Sequence, residues 1–287
     1  MKESTGVVAK KESILIYGKD KIGKSSWCAS FPSPVFVDIE KRTDHLPVAR
    51  YQPETSKEVM EALDKALASK HETIVIDSAD WLEKLLLAEL LADTGKPSID
   101  KVGDYGAGYS QLRARFMPFI EKMREINKTK NLIITSHYQI KMFNNPTTEP
   151  YEMYLPKLDK EISQWLCEMV DNIFFASEEV LLHGKLKKRA IDDGKRYLFT
   201  NPSAAYKAGQ SFDLPDKFEL LEKDGYKYYL SLKKFISNAT PVELIAEIES
   251  YFPKCEETYV ALVKEKMKGA DEKKLRKILD FVKEEVK

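Results

Sequence analysis

The sequence predicts an α/β fold with a mainly parallel β-sheet flanked by helices, and three observations support this prediction. Short apolar runs recur along the chain, a polar or charged residue follows each run, and helix-like segments separate the runs. Runs of this kind are typical of strands that are buried on both faces of a parallel sheet. The runs are residues 14–17, 34–37, 73–76 and 132–135. Since strands that alternate with helices connect as βαβ units, their order favours an open α/β sheet.

A glycine-bounded loop joins the first apolar run to the first helix-like segment. Gly18, Gly23, Lys24 and Ser25 fit the pattern G-x-x-x-x-G-K-[ST], in which backbone N–H groups surround phosphate oxygens. The lysine of this pattern reaches the β- and γ-phosphates, and the serine ligates Mg²⁺. The sequence therefore predicts a P-loop that binds ATP and Mg²⁺. The predicted nucleotide-binding residues are Gly18, Lys19, Asp20, Lys21, Ile22, Gly23, Lys24, Ser25 and Ser26.

Carboxylates end the second and third apolar runs. Asp38 and Glu40 alternate across one residue, so an extended chain places them on the same face at its carboxyl end, where open α/β sheets bind ligands. Asp77 ends the third run in the position of a Walker B carboxylate, which holds Mg²⁺ together with Ser25. The alternative is that Asp77 caps the next helix, although Asp80 is the expected cap.

Polar residues also end the fourth run, where the sequence continues as Ser136, His137, Tyr138 and Gln139. A polar side chain at this strand end can contact the γ-phosphate or the attacking water, which predicts a sensor role for His137. The alternative is a histidine that is only packed and hydrogen-bonded at the end of a strand.

Two long loops are expected between the strands. Residues 94–110 carry four glycines and a proline without apolar periodicity, and residues 109–127 then read as a helix that Pro118 kinks or breaks. Residues 143–156 form the second expected loop.

Aromatic residues stand beside basic residues at the second loop. Tyr151 and Tyr154 lie in it, and Lys141 and Lys157 flank it. Such a set can stack bases and pair with phosphates, while the alternative is a plain surface hairpin.

The chain divides by composition into a core, residues 1–235, and a helical extension, residues 236–287. The extension reads as charged amphipathic helices that Pro253 and Gly269 separate. The 46 basic and 46 acidic residues balance, so no global charge indicates a nucleic acid or a membrane. The three cysteines share no metal-type spacing, and no run is long enough to cross a bilayer. We therefore expect a soluble, cytoplasmic protein without a membrane partner.

Seven stretches occur in the order seen in the phage RecA-like ATPases of the Sak type, and the sequence resembles that family over residues 13–230. These stretches are LIYGKDKIGKSSW, VFVDIEKRTDHL, TIVIDSAD, DYGAGYSQLRARF, LIITSHYQIK, LPKLDKEISQWLCEMVDNIFFA and YKAGQSFDLP. The resemblance implies a RecA-like P-loop ATPase core that binds single-stranded DNA and promotes annealing or strand pairing in phage recombination. It also implies a homo-oligomer, either ring or filament, a single-strand-binding protein as partner, and the host cytoplasm as location.

The resemblance assigns roles to individual residues. Glu40 corresponds to the strand-end glutamate that activates water in the RecA superfamily, and both long loops fall where RecA-like proteins contact DNA. Lys207 matches a late basic motif that can reach the phosphates of a neighbouring protomer. The sequence departs from this motif because Gln210 and Ser211 stand where an arginine usually follows, which makes Arg196 an alternative to Lys207.

Two other functions are compatible with these patterns. The chain can be a RecA-fold helicase, helicase loader or DNA-packaging motor. It can also be a nucleotide-dependent switch that binds protein partners through its C-terminal helices.

Overall fold

A computed structural model describes residues 11–145, 148–183 and 189–233. In the C-terminal part it describes residues 245, 248–249, 251–255, 257–268, 270 and 272–285. The chain forms two compact units, Ala9–Lys234 and one that contains Phe235–Lys287, and each is described by itself.

The first unit is built on an eight-stranded, mainly parallel sheet. Its strands are β1 (Ser13–Gly18), β2 (Pro34–Asp38), β3 (Ala49–Tyr51), β4 (Thr73–Asp77), β5 (Asn131–Ser136), β8 (Asn172–His183), β9 (Arg189–Phe199) and β10 (Lys217–Glu219). They lie in the order β10-β9-β8-β1-β5-β4-β2-β3. Every pair from β8 to β3 in this order is parallel, and β9 and β10 join antiparallel at one edge. The predicted α/β class with a mainly parallel sheet is confirmed.

Helices cover both faces of this sheet. They are α1 (Lys24–Cys28), α2 (Ser56–Ala68), α3 (Ala79–Thr94), α4 (Ala107–Asn127), α5 (Lys160–Met169) and α6 (Gly225–Leu232). β1 is apolar and buried throughout because its side chains alternate between two layers: Leu15 and Tyr17 pack with α2 to α5, and Ile14 and Ile16 pack with α1 and α6.

Parallel pairing aligns the carboxyl ends of the central strands at one edge. The register sets Tyr17 opposite Ser136, and Asp38 opposite Asp77. The loops that follow β1, β2, β4 and β5 therefore meet at this edge, which is the ligand-binding edge of open α/β sheets.

Helix boundaries follow local chemistry in α2 and α3. Thr55 precedes α2, and its side chain accepts a hydrogen bond from the backbone N of Glu58 at 3.2 Å, as the capping spacing predicts. α3 runs to Thr94 and ends at Gly95, which has a φ of 63° and adopts the left-handed conformation that glycine tolerates best.

Both expected loops differ in part from the structure. The first is shorter than predicted, because α4 begins at Ala107 and a short 3₁₀ turn, Ile99–Lys101, lies before it. α4 continues through Pro118 without a break, since the buried Phe116, Phe119 and Ile120 hold the turns on both sides of the proline against the sheet layer.

Half of the second expected loop is strand, and the surface hairpin given as the alternative is present. β6 (Tyr138–Phe143) and β7 (Tyr151–Pro156) form an antiparallel hairpin with six residue pairs, and residues 146–147 fall outside the described ranges. The alternation of Gln139 and Lys141 with Ile140 and Met142 is the strand pattern that accounts for this difference. At the sheet edge β8 and β9 pair antiparallel, and residues 184–188 between them lie outside the described ranges.

The second unit contains two amphipathic helices, α7 (Glu257–Met267) and α8 (Glu272–Glu285). They share a small apolar cluster with residues before them, which includes Ile248, Val263, Met267, Leu275 and Val282. Pro253 lies in a 3₁₀ turn, Phe252–Lys254, and Gly269 lies outside the described residues. Among the described helices, none has the length and apolar character that a membrane crossing requires.

Candidate active site

The P-loop connects β1 to α1 in a conformation that its glycines permit. Gly18 lies so close to β8 that a Cβ atom would come within 2.2 Å of the Ala176 carbonyl oxygen, and Gly23 has a φ of 102°. Only glycine fits both positions without strain.

Lys24 is 7% exposed, and its Nζ donates to the carbonyl oxygens of Gly18 at 3.1 Å and Lys19 at 2.8 Å. Burial lowers the pKa of Lys24, and the negative charge of Asp77 opposes that effect. The loop therefore holds a desolvated cation at its centre.

Ser25 and Asp77 form an oxygen-rich pair at the start of α1. Ser25 Oγ donates to Asp77 Oδ2 at 2.6 Å, and Thr135 Oγ1 donates to Asp77 Oδ1 at 2.6 Å. Burial raises the pKa of Asp77, while the hydrogen bonds from Ser25 and Thr135 lower it. A hydroxyl and a carboxylate side by side are the hard oxygen ligands that Mg²⁺ accepts.

Ser25 and Asp77 are too few ligands for a metal ion that is bound by protein side chains alone, but they suit Mg²⁺. Within the described ranges, no cluster of three or more His, Cys, Asp or Glu side chains can hold a metal ion. Mg²⁺ usually takes only one or two carboxylates, and phosphate oxygens and water complete its shell. Ser25 and Asp77 therefore suit an ion that binds together with a nucleotide, which is the role that the P-loop pattern and the strand-end position of Asp77 predict.

Glu40 lies just beyond the end of β2, in a turn that is hydrogen-bonded to the end of β4. The backbone N atoms of Ile39 and Glu40 donate to the Asp77 carbonyl oxygen at 2.8 and 3.3 Å. The Glu40 side chain is 10% exposed and contacts Arg42 Nε at 3.2 Å. Burial raises the pKa of Glu40, and the charge of His137 opposes this shift. A buried carboxylate of this kind accepts a proton more readily than an exposed one.

Asp38 does not join Glu40 in the site. Its carboxylate accepts hydrogen bonds from Thr43 N at 3.1 Å, Thr43 Oγ1 at 2.7 Å and Arg42 N at 3.1 Å. These bonds close the turn after β2, because β2 ends at Asp38 and the chain bends before Glu40. Asp38 thus shapes the turn that carries Glu40.

His137 follows β5 and lies among three carboxylates. Its Nδ1 is 2.8 Å from Asp80 Oδ2, and its Nε2 is 3.0 Å from Asp20 Oδ1 and 3.9 Å from Glu40 Oε2. The prediction that Asp80 caps α3 is wrong. Ser78 occupies the cap position, and Asp80 lies in the first turn with its carboxylate directed at His137. A helix-start pattern hides this role, since it cannot reveal a partner 57 residues away.

A cavity of about 310 Å³ brings most of the predicted site residues together. It is lined by Asp20, Lys21, Gly23, Lys24, Ser25, Ser26, Glu40, Arg42, His45, Asp77, His137 and Glu222. The cavity can therefore hold a phosphate chain against the P-loop, with the Glu40 carboxylate and the His137 ring beside it. Thr135 and Arg42 touch the site residues as well, and the sequence patterns did not point to them.

The two late basic residues lie in different places. Lys207 lines a separate cavity of about 700 Å³ under the β6–β7 hairpin, and its backbone N donates to the Tyr154 carbonyl oxygen at 3.2 Å. Arg196 lies at the P-loop, where Nη1 is 3.3 Å from the Ile22 carbonyl oxygen and 2.8 Å from Glu222 Oε1.

A P-loop between β1 and α1, a Ser–Asp pair for Mg²⁺ and polar strand ends on a parallel sheet define a P-loop nucleotide-hydrolase domain. The family model described as AAA domain matches residues 10–212, and the chain belongs to this family. Membership indicates a nucleotide-hydrolysing ATPase domain that binds nucleotide and typically Mg²⁺. A search of curated proteins found no match.

Proposed function

We propose that this protein hydrolyses ATP by in-line attack of a water molecule that Glu40 orients and deprotonates. The supporting observation is the 310 Å³ cavity, in which the buried Glu40 carboxylate lines the same space as Lys24, Ser25 and His137. These are the groups that phosphoryl transfer needs, because its catalysis depends on positioning and on charge stabilisation.

Each side chain contributes a separate step. Lys24 exchanges its two carbonyl acceptors for phosphate oxygens, and its charge offsets the charge that develops in the transition state. Ser25 and Asp77 would hold Mg²⁺, and the ion would supply positive charge that offsets the charge of the phosphate oxygens. Glu40 accepts the proton of the attacking water, and His137 donates toward the γ-phosphate end of the cavity.

Two variants separate binding from chemistry. Lys24→Ala removes the phosphate contacts and should abolish ATP binding, measured with a fluorescent ATP analogue. Glu40→Gln keeps the shape of the site and should bind ATP but lower kcat by about 10²- to 10⁴-fold. Glu54→Gln is the matched control, because Glu54 is an exposed carboxylate after β3 that pairs with Lys41, the residue next to Glu40. Turnover of Glu40→Gln near that of the control would refute the role of Glu40.

We further propose that hydrolysis controls binding of single-stranded DNA by the β6–β7 hairpin, as part of annealing or strand pairing in phage recombination. Ile140, Met142 and Phe143 are exposed on this hairpin, and Lys141 lies exposed among them. Exposed aromatic and basic side chains together suit stacking on bases and pairing with phosphates. The hairpin begins at Tyr138, immediately after His137, so it is joined directly to the phosphate site.

The DNA proposal is tested by anisotropy of a labelled oligonucleotide and by ATPase rates with and without single-stranded DNA. Phe143→Ala should weaken DNA binding by about 5- to 100-fold, which is the range for loss of one stacked base. Phe281→Ala is the control, since Phe281 is exposed on α8 of the other unit. Annealing of complementary labelled strands, with and without a single-strand-binding protein, then tests the recombination step.

Assembly into a ring or filament completes the proposal. Lys207 does not line the phosphate cavity of its own chain, so a role of Lys207 at phosphates would require a neighbouring protomer. Lys207→Ala mixed with Lys24→Ala should regain activity that neither variant has alone, because a Lys24→Ala protomer still supplies Lys207 to its neighbour, and no gain in the mixture would refute action between protomers. DNA-stimulated unwinding with a direction would indicate a helicase or motor instead. Partner binding without DNA binding at low salt would indicate a protein-directed switch.

A further inference from the structure

Both ring nitrogens of His137 face carboxylate oxygens at hydrogen-bonding distance. Nδ1 is 2.8 Å from Asp80 Oδ2, and Nε2 is 3.0 Å from Asp20 Oδ1. A neutral imidazole carries one N–H group and one lone pair, whereas the imidazolium carries two N–H groups. With a neutral ring, one of these contacts would set a lone pair against an oxygen.

The structure favours an imidazolium, in which both ring nitrogens of His137 carry a proton. The Asp20 side chain is 71% exposed, so its carboxylate stays hydrated while it contacts Nε2. Asp80 is 2% exposed and accepts a second hydrogen bond, from the His137 backbone N at 3.2 Å. Burial alone would raise the pKa of Asp80, but the hydrogen bonds and charge of His137 lower it. Carboxylate oxygens on both ring nitrogens therefore match an imidazolium, which has one N–H group for each of them.

The remaining charges around the ring come from three segments: the turn after β2, the P-loop and the residue after β7. Glu40 approaches Nε2 from the turn after β2, at 3.9 Å. Lys19 in the P-loop and Lys157 after β7 line a second cavity together with Asp20 and His137, and Lys19 is paired with Glu178. Lys24 is engaged with its loop carbonyl oxygens. Of the three carboxylates at the ring, Asp80 is the most buried and the only one that also binds the His137 backbone.

We propose that Asp80 is a positioning residue that fixes the His137 ring through Nδ1–H and keeps both ring nitrogens protonated, so that Nε2–H is a cationic donor at the phosphate cavity. The proposal rests on the proposed ATP hydrolysis for its catalytic consequence. It gives the site a positive charge from its own chain, in addition to any residue of a neighbouring protomer.

The protonation state is measured without nucleotide by NMR of the ¹⁵N-histidine-labelled full chain at neutral pH. The chain has four histidines, and His137→Gln identifies the signals of His137. Wild type should show two protonated ring nitrogens, and Asp80→Asn should show a neutral ring. The control is Asp93→Asn, a carboxylate on the same helix that pairs with Arg115, about 20 Å further along the axis. A neutral ring in wild type, or an unchanged ring in Asp80→Asn, would overturn the proposal.

ATPase assays then test the positioning role. Asp80→Asn should lower kcat by about tenfold and move the alkaline decline of the pH–rate profile to lower pH, because the cation is lost more easily. His137→Gln should remove this alkaline decline. In the His137→Gln background, Asp80→Asn should change kcat by less than about twofold, since its effect passes through the ring. An equal loss in both backgrounds would mean that Asp80 is only structural.

These readouts separate this proposal from the proposed function. If wild type does not hydrolyse ATP, the proposed function fails, while the NMR comparison still decides whether Asp80 holds a protonated ring. If hydrolysis is present and the ring is neutral, only the inference about Asp80 fails.

Discussion

Replacing Tyr17 by Phe removes a single oxygen atom from the junction between β1 and the hairpin. Tyr17 is fully buried at the end of β1, and its hydroxyl lies 2.5 Å from the Lys207 carbonyl oxygen and 3.1 Å from that of Tyr154. Burial raises the pKa of Tyr17, so the hydroxyl remains a donor over the working range of pH. The ring keeps its contact with Phe175, whose centroid is 5.2 Å away.

The magnitude follows from the donors and acceptors. A phenol has one O–H, so the shorter contact, to the Lys207 carbonyl oxygen, is the main hydrogen bond. The Tyr154 carbonyl oxygen still accepts from the Lys207 backbone N in the variant. Loss of one buried hydrogen bond, with an acceptor that loses its donor, costs about 1–3 kcal/mol. With a urea m-value of about 3 kcal/mol/M, the unfolding midpoint should fall by roughly 0.3–1 M.

Tryptophan fluorescence measures the unfolding of the part of the chain that contains Tyr17. All three tryptophans, Trp27, Trp81 and Trp165, lie in the unit Ala9–Lys234, so a urea titration reports on its unfolding. Tyr105→Phe is the control, because the Tyr105 side chain is fully exposed. A loss below about 0.5 kcal/mol for Tyr17→Phe, which is the usual effect of a surface substitution, would refute the reasoning.

Three further predictions concern buried polar groups. Burial raises the pKa of Glu83 from 4.5 to about 7. The folded chain therefore binds a proton that the unfolded chain releases, so stability should fall as pH rises across this interval, and urea midpoints for Glu83→Gln should lack that fall. Lys233→Met should cost about 3–5 kcal/mol because it leaves Glu12 buried without its ion-pair partner, and the double variant with Glu12→Gln should cost less. Thr135→Val removes the hydrogen bond to Asp77 and should lower the affinity for Mg²⁺ in the presence of nucleotide by about 10- to 100-fold, measured by titration with Mg²⁺.

The fold class was predictable because its signals are local. Each apolar run that precedes a polar strand end became a buried strand, since burial on both faces requires continuous apolar sequence. The P-loop was predictable for the same reason, because its glycines and lysine act within nine consecutive residues. The edge strand β3, with three residues and partial exposure, carries too little apolar sequence to stand out.

The missed features depend on contacts between distant segments. Asp80 looks like a helix-start residue in sequence, and only the parallel pairing of β4 with β5 brings it to His137. Asp20 occupies a variable position of the P-loop pattern, and its contact with the ring arises because β1 also pairs with β5. The hairpin was expected only as the alternative to a loop, since proline and charged residues in residues 143–156 outweighed a short strand pattern.

Both strands of the β6–β7 hairpin are attached at His137, which lines the phosphate cavity. β6 starts at the residue after His137 and β7 ends at the residue before Lys157, whose backbone N donates to the His137 carbonyl oxygen at 2.8 Å, so the two strands meet at this point. Six residues per strand extend about 20 Å from this base. If nucleotide changes the acceptor at Nε2 of His137, as the proposed function implies, the change would act at the base of the hairpin that carries the exposed Lys141 and Phe143.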